Sequence, residues 1–247
     1  MGLTLHYRLI APAGCTARRA EALVRRFHAI ASGGVAAGRV VEVGPVMADS
    51  SKLERCGTAW LTVPHPDQPN TGTGVEIRPE AGWIFPVDFG ADCEWLWLGL
   101  CRYPATIVVD GRTRATKHGA RWRFGRFCKT HYASLHGWEN FVRCHVGAIE
   151  LLGAWRGLGG RVKISDEGGY WPRRHLGTLR QNLEQMNGLV AALAGAVKDA
   201  TEGEGRAPVG APIFAHPQFE RLEAEGATRA GPKIAKAARI IARQAKL

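Results

Sequence analysis

The residues best equipped for chemistry lie between Cys128 and Trp171, where Cys128, His131, His136, Cys144 and His145 precede the run Ser165-Asp166-Glu167-Gly168-Gly169-Tyr170-Trp171. Three reactions are open to that set. Cys128 with the imidazole of His131 or His136 has the parts of a thiolate nucleophile and its base, but no surrounding motif supports the pair. Cys128, His131, Cys144 and His145 are ligand types that zinc accepts at tetrahedral geometry. Neighbours on a helix point about 100° apart, however, so Cys144 and His145 are poorly placed to share one ion, and neither metal nor cofactor is expected. Asp166 or Glu167 beside His131 could act as general acid or base, since the run follows a strand and precedes a helix. The structural alternative is a turn in which either carboxylate accepts backbone N–H bonds and Trp171 packs as a staple.

A different chemistry, the holding of anions, is written into residues 111–138. That segment has seven cations, Arg112, Arg114, Lys117, Arg121, Arg123, Arg126 and Lys129, and no Asp or Glu. Trp122, Phe124, Phe127 and Tyr132 are interleaved with them, as in surfaces that hold a phosphate backbone and stack bases. A solvated hairpin edge with blocking charges gives the same letters. After the carboxylates, Tyr170 and Trp171 could form a stacking wall, with Arg173 and Arg174 receiving an anion near a helix start. The formal net charge of +11 points the same way, towards nucleic acid or another polyanion.

The elements that must position these groups follow from periodicity. Leu3, Leu5, Tyr7 and Leu9 alternate with Thr4, His6 and Arg8, which predicts a strand with one buried face. Thr16 then caps a helix with Ala20, Leu23, Val24, Phe27 and Ile30 on one side, and a strand resumes over 39–43. Residues 49–73 read as an irregular connection. Short β-rich runs fill 75–116, with Asp110-Gly111 turning a hairpin. A second helix spans 138–158, a strand 161–164, and a third helix carries Leu176, Leu179, Leu183, Met186, Val190, Leu193 and Val197 at heptad spacing. That seam packs on the protein's own sheet or on a second copy. Trp83, Trp95 and Trp97, with Phe85 and Phe89, read as core.

Beyond residue 200 the chain turns rich in Gly, Ala, Pro and Glu, so 1–200 is expected to be one domain and 201–247 a mobile tail ending in a basic amphipathic helix, Lys233 to Leu247. Six irregularly spaced cysteines, without a secretory signal, read as reduced thiols. No run reaches the roughly eighteen apolar residues of a membrane span. The expected location is the cytoplasm, with no membrane partner.

The segments Leu100 to Ile107, Phe127 to Thr130, Glu139 to His145 and Ser165 to Trp171, together with Leu3 to Leu9, resemble a bacterial family associated with planctomycetes that has no assigned activity. The resemblance covers roughly residues 3–200 and implies one compact domain. In that family the place of His131 is often taken by Gln.

The fold class expected is α+β: a mainly antiparallel sheet with about three long helices on one face, in a ferredoxin-like arrangement. The leading functional expectation is a non-catalytic binding protein that meets a polyanion or acidic partner through residues 111–132 and the turn 166–174. The rivals are an enzyme using Asp166 or Glu167 with His131, and a homodimer built on the heptad helix.

Overall fold

The computed structural model describes residues 2–48, 50–67, 74–116, 118–119, 121–202 and 210–244. In chain order the elements are β1 (Thr4–Ile10), α1 (Ala17–Ala36), β2 (Glu42–Val43), α2 (Ser50–Arg55), β3 (Leu61–Pro64), β4 (Gly74–Ile77), β5 (Ala81–Asp88), β6 (Leu96–Arg102), β7 (Thr106–Val109), β8 (Arg112–Ala115), β9 (Arg123–Lys129), α3 (Gly137–Ala154), β10 (Arg161–Asp166), α4 (Leu176–Glu202) and α5 (Phe219–Gln244). The main sheet has the order β10-β1-β9-β6-β5-β2, with antiparallel pairing throughout. Its centre, β10-β1-β9-β6, is crossed over by α1 between β1 and β6 and by α3 between β9 and β10. This is the split βαβ, ferredoxin-like arrangement within an α+β fold.

Helix α1 starts where the sequence places its cap, with the Thr16 hydroxyl accepting the Arg19 N–H at 3.3 Å. On the inner face of the sheet, Leu5, Leu9, Phe85, Leu98, Phe124 and Cys128 are buried beneath α1 and α3. Phe27 meets Phe85 edge-on at 6.0 Å and lies 5.2 Å from Trp155, whose indole N–H donates to the Ile10 carbonyl. Helix α4 joins this core through Leu179 and Leu183.

The outer face is treated unevenly. Over β5 and β6 it is covered by described residues from 46–48 and 50–67, where Met47 bridges Ile84, Leu53 of α2 is buried, and the Ala59 carbonyl accepts the Tyr103 hydroxyl at 2.9 Å. Over β9, β1 and β10 it carries His6, Arg8, Phe127, Lys129, Lys163 and Ser165, all exposed.

The expectation of a mobile tail needs correction. Helix α5 packs along α4, burying Leu222, Ile234 and Ala238, while Ile213 joins Val190, Ala191 and Ala194 in a second apolar cluster. The composition that reads as loose allows close approach instead: a Cβ on Gly226 would stand 1.9 Å from the Gly188 carbonyl oxygen. Residues 203–209 and 245–247, including Lys246 of the basic face, lie outside the described residues. The heptad seam is thereby shared between the main core and α5, which leaves the homodimer expectation without that surface. No described helix is long and apolar enough to cross a membrane.

A branched side chain at the Gly188–Gly226 crossing has no room. Gly226→Val is expected to destabilise the α4–α5 pair by about 1–3 kcal/mol, read by limited proteolysis as faster cleavage before residue 219. Cleavage no faster than in the parent protein would show that α5 is not held there.

Candidate functional site

Asp166 ends β10 with its side chain fully buried, and it pairs with His145 of α3 rather than with His131. His145 Nε2 stands 3.0 Å from Asp166 Oδ1, both side chains having 0% exposure, but off the line of a good N–H bond. The Gly168 and Trp171 N–H groups donate to the same carboxylate at 2.7 and 2.8 Å. Burial alone raises the Asp166 carboxyl pKa. The imidazole and the two backbone donors more than offset it, holding the group below the usual carboxylate range. On its other side, His145 Nδ1 is 2.7 Å from the Thr130 hydroxyl, and Phe141 stacks on its ring. Gly168 is required here, because a Cβ would fall 2.8 Å from the His145 ring. Thr130, His145 and Asp166 thus form a hydroxyl–imidazole–carboxylate chain like that of a hydrolase in composition. The hydroxyl has 0% exposure, so a substrate has no access to it. The chain ties the 130 turn, α3 and β10 together.

The other catalytic candidates are separated from one another. His131 is 1% exposed and its Nε2 bonds the Asn187 side-chain oxygen of α4 at 2.6 Å. Burial lowers its pKa, only partly countered by Asn187, which favours the neutral ring. Glu167 accepts the Thr4 N–H at 3.0 Å and lies 3.5 Å from His6 Nε2. The expected pairing of His131 with Asp166 or Glu167 is therefore not formed. Cys128 is fully buried and donates to the Glu94 carbonyl at 3.1 Å, while His136 bonds Asp92 at 2.7 Å, so the nucleophile–base pair is absent too. Cys144 and Cys93 interact, and that contact drives the Cys144 pKa upward, which makes these inert thiols. Among the described residues, His65, Asp67 and Asp110 also gather, but Arg114 already supplies their positive partner through two bonds to Asp67 of 2.8 and 2.9 Å.

The basic-aromatic segment does not form one surface. Arg112 and Arg114 belong to the separate β7–β8 ladder, and Arg114 is neutralised by Asp67. Lys117 lies outside the described residues, and Arg121 is exposed beyond the sheet. Trp122 is buried against Trp83 at 5.3 Å, and Arg123 bonds His118 at 3.0 Å. Tyr132 rests beside the buried His131. In the second expected patch Tyr170 is 7% exposed, Trp171 is half-buried beneath Arg156 and Arg174, and Arg173 is exposed.

What remains together is the outer face of β9 with its neighbours. The Phe127 ring is 40% exposed, with Arg126 at 5.5 Å, Lys129 at 5.6 Å and His6 at 6.2 Å from its centroid. It walls two grooves. One, of about 550 Å³, is lined by Trp95, Trp97, Pro86, Thr58, Glu94 and Arg126. The other, of about 540 Å³, is lined by His6, Lys129, Glu167, Thr4, Gly2 and Met186. The first groove opens where the sheet splits. β6 and β9 pair at Cys101–Arg123, and the chain just before β6 meets β9 where the Glu94 N–H donates to the Lys129 carbonyl at 3.1 Å, while the Trp97 carbonyl in between accepts the Tyr7 hydroxyl of β1. Sequence reasoning assigned Trp95 and Trp97 to the core and passed over His6, Arg8 and Lys163. The alternation within β1 was the signal that put His6 and Arg8 on the opposite face from Leu5 and Leu9.

Comparison of the chain with protein-family models, with curated proteins and with solved structures finds no match. The functional reading therefore rests on the chemistry of this face.

Replacing Asp166 by Asn removes the charged acceptor of the Gly168 and Trp171 N–H groups and should cost about 1.5–3 kcal/mol at pH 7, the range for a hydrogen bond to a charged group. Because the native carboxyl titrates below its unfolded value, this stabilisation is present above about pH 4 and fades as pH falls through the depressed native pKa. Urea denaturation at pH 7 and pH 3 reads it: a large difference between parent and variant at pH 7 that shrinks at pH 3. An equal difference at both values would mean the carboxylate charge is not what stabilises.

Proposed function

We propose that this protein binds single-stranded nucleic acid across the open outer face of β9, β1 and β10, without catalysing a reaction on it. The observation that carries the reading is the exposed Phe127 ring on a sheet face that no described helix covers, with Lys129 of the same face at 5.6 Å from its centroid and the guanidinium of Arg126, which starts from the opposite face beside Tyr7, at 5.5 Å. A single strand offers what that arrangement lacks: a base to lie on the ring and phosphates for the flanking charges. Arg8, Arg126 and Lys163 have no acidic partner among the described residues, whereas Lys129 shares Glu94 at 3.7 Å. Trp95 and Trp97 in the adjoining groove give further apolar surface for a neighbouring base. A polyanion without bases, such as heparin, would use the charges and gain nothing from the rings. The fully enclosed Thr130–His145–Asp166 chain supports a structural rather than a catalytic use of the residues best suited to chemistry.

Phe127→Ala removes an exposed ring and should leave the far-ultraviolet circular dichroism spectrum unchanged. Fluorescence anisotropy with a labelled single-stranded oligonucleotide should show binding weakened about tenfold, since one stacked base contributes ~1–3 kcal/mol. Heparin binding should change less than twofold. Equal affinity of parent and variant for the oligonucleotide would remove the basis of this assignment.

A further inference from the structure

The free edge of the sheet carries a second set of cations. Arg156, Arg161 and Lys163 line a groove of about 580 Å³ with Ile10, Gly160 and Val162, and no carboxylate lines it. None of the three cations is paired with an acid among the described residues. Arg161 and Lys163 stand opposite Ile10 and Arg8 in the β1–β10 register, which puts them on the same outer face as Phe127 and His6.

Charges on an edge strand often serve only to block pairing with another sheet. That purpose accounts for Arg161 and Lys163 and leaves Arg156 unexplained. Arg156 comes from the turn after α3, and its guanidinium is held 5.1 Å from the Trp171 ring, with Arg174 at 5.9 Å from the same ring. The indole acts as a positioning surface that fixes Arg156 at the rim of the groove. Three cations from two elements therefore converge where no acid neutralises them, which suits the oxygens of a phosphodiester.

The register also gives the separation from the first station. Phe127 pairs with His6 and His6 with Ser165, so β10 lies two strand spacings from β9, and Lys163 is two residues further along. At ~4.8 Å between strands and ~3.4 Å per residue, the two stations are about 12 Å apart.

We propose that the groove of Arg156, Arg161 and Lys163 is a second anchoring point for the backbone of the same single strand, so that the protein grips a segment spanning from Phe127 to the β10 edge. This rests on the open-face reading, and it adds a length requirement that the reading alone does not have. A short strand stacked on Phe127 does not reach the groove; a longer one does.

The test is the double variant Arg156→Gln, Arg161→Gln, which leaves Lys163 of the open face in place, with thermal melting to confirm folding. Labelled single strands of two and of about twelve nucleotides, each as RNA and as DNA, are titrated by anisotropy over a series of salt concentrations. The variant should bind the long strand about tenfold more weakly, and its salt slope should fall by about 1.4, two lost phosphate contacts at ~0.7 each. Its affinity for the short strand should stay within twofold of the parent. Loss of the same size at both lengths, or an unchanged slope for the long strand, overturns the second anchor while leaving the open-face reading in place. Phe127→Ala separates the two, because it should weaken both lengths. A parent protein that binds neither length sinks the open-face reading and this inference with it.

Discussion

A β-strand sends successive side chains to opposite faces, and this chain covers the inner face of its sheet with α1 and α3 while, among the described residues, the outer face over β9, β1 and β10 stays exposed. β9 shows the consequence. Phe124 and Cys128 are buried in the core, so Phe127 and Lys129 must stand in solvent. β1 repeats it, with Leu5 and Leu9 inside and His6 and Arg8 outside. Because the register aligns His6 with Phe127 and Arg8 with Lys163, these alternations add up to one surface.

The residues with the richest chemistry hold that surface in shape. Asp166 closes β10 by accepting two N–H groups of the following turn, and its contact with His145 fixes the strand against α3. Thr130 completes the chain at the far end of β9. His131 reaches across to Asn187 and fixes α4 beside the same corner. Each of these buried groups has a partner from a distant part of the chain, although His131 Nδ1 and His145 Nε2 make no hydrogen bond of good geometry, and the contacts tie helices to strands at one corner. The same groups in a cleft would invite a catalytic reading; here burial decides against it.

The fold was legible where period and caps were strong. The alternation of Leu3 to Leu9, the Thr16 cap and the Asp110-Gly111 hairpin all reappear, and the ferredoxin-like order follows from the two helical crossovers. The site was legible only in part. Residues 111–132 read as one basic run, yet the chain folds Arg112 and Arg114 into a separate hairpin and turns Trp122 inward, because contiguity in sequence does not place side chains on a common face. Arg8, Arg156 and Lys163 come from distant segments and join the surface only through strand pairing and the turn after α3. The catalytic pairing failed for a related reason: His131 and His145 are equally plausible partners for a carboxylate by composition, and three-dimensional packing alone chooses His145. The Gly- and Ala-rich stretch after residue 200 misled because small residues mark close helix contact as well as disorder.

The central claim is that the exposed outer face over β9, β1 and β10, and no other part of the molecule, receives the bases of a single strand. Ultraviolet crosslinking of the full chain to a single-stranded oligonucleotide, followed by peptide mapping, tests this directly. Adducts at Phe127 and at Trp95 or Trp97 are the predicted result. Adducts confined to the β7–β8 hairpin or to α5, with none on β9, would contradict it.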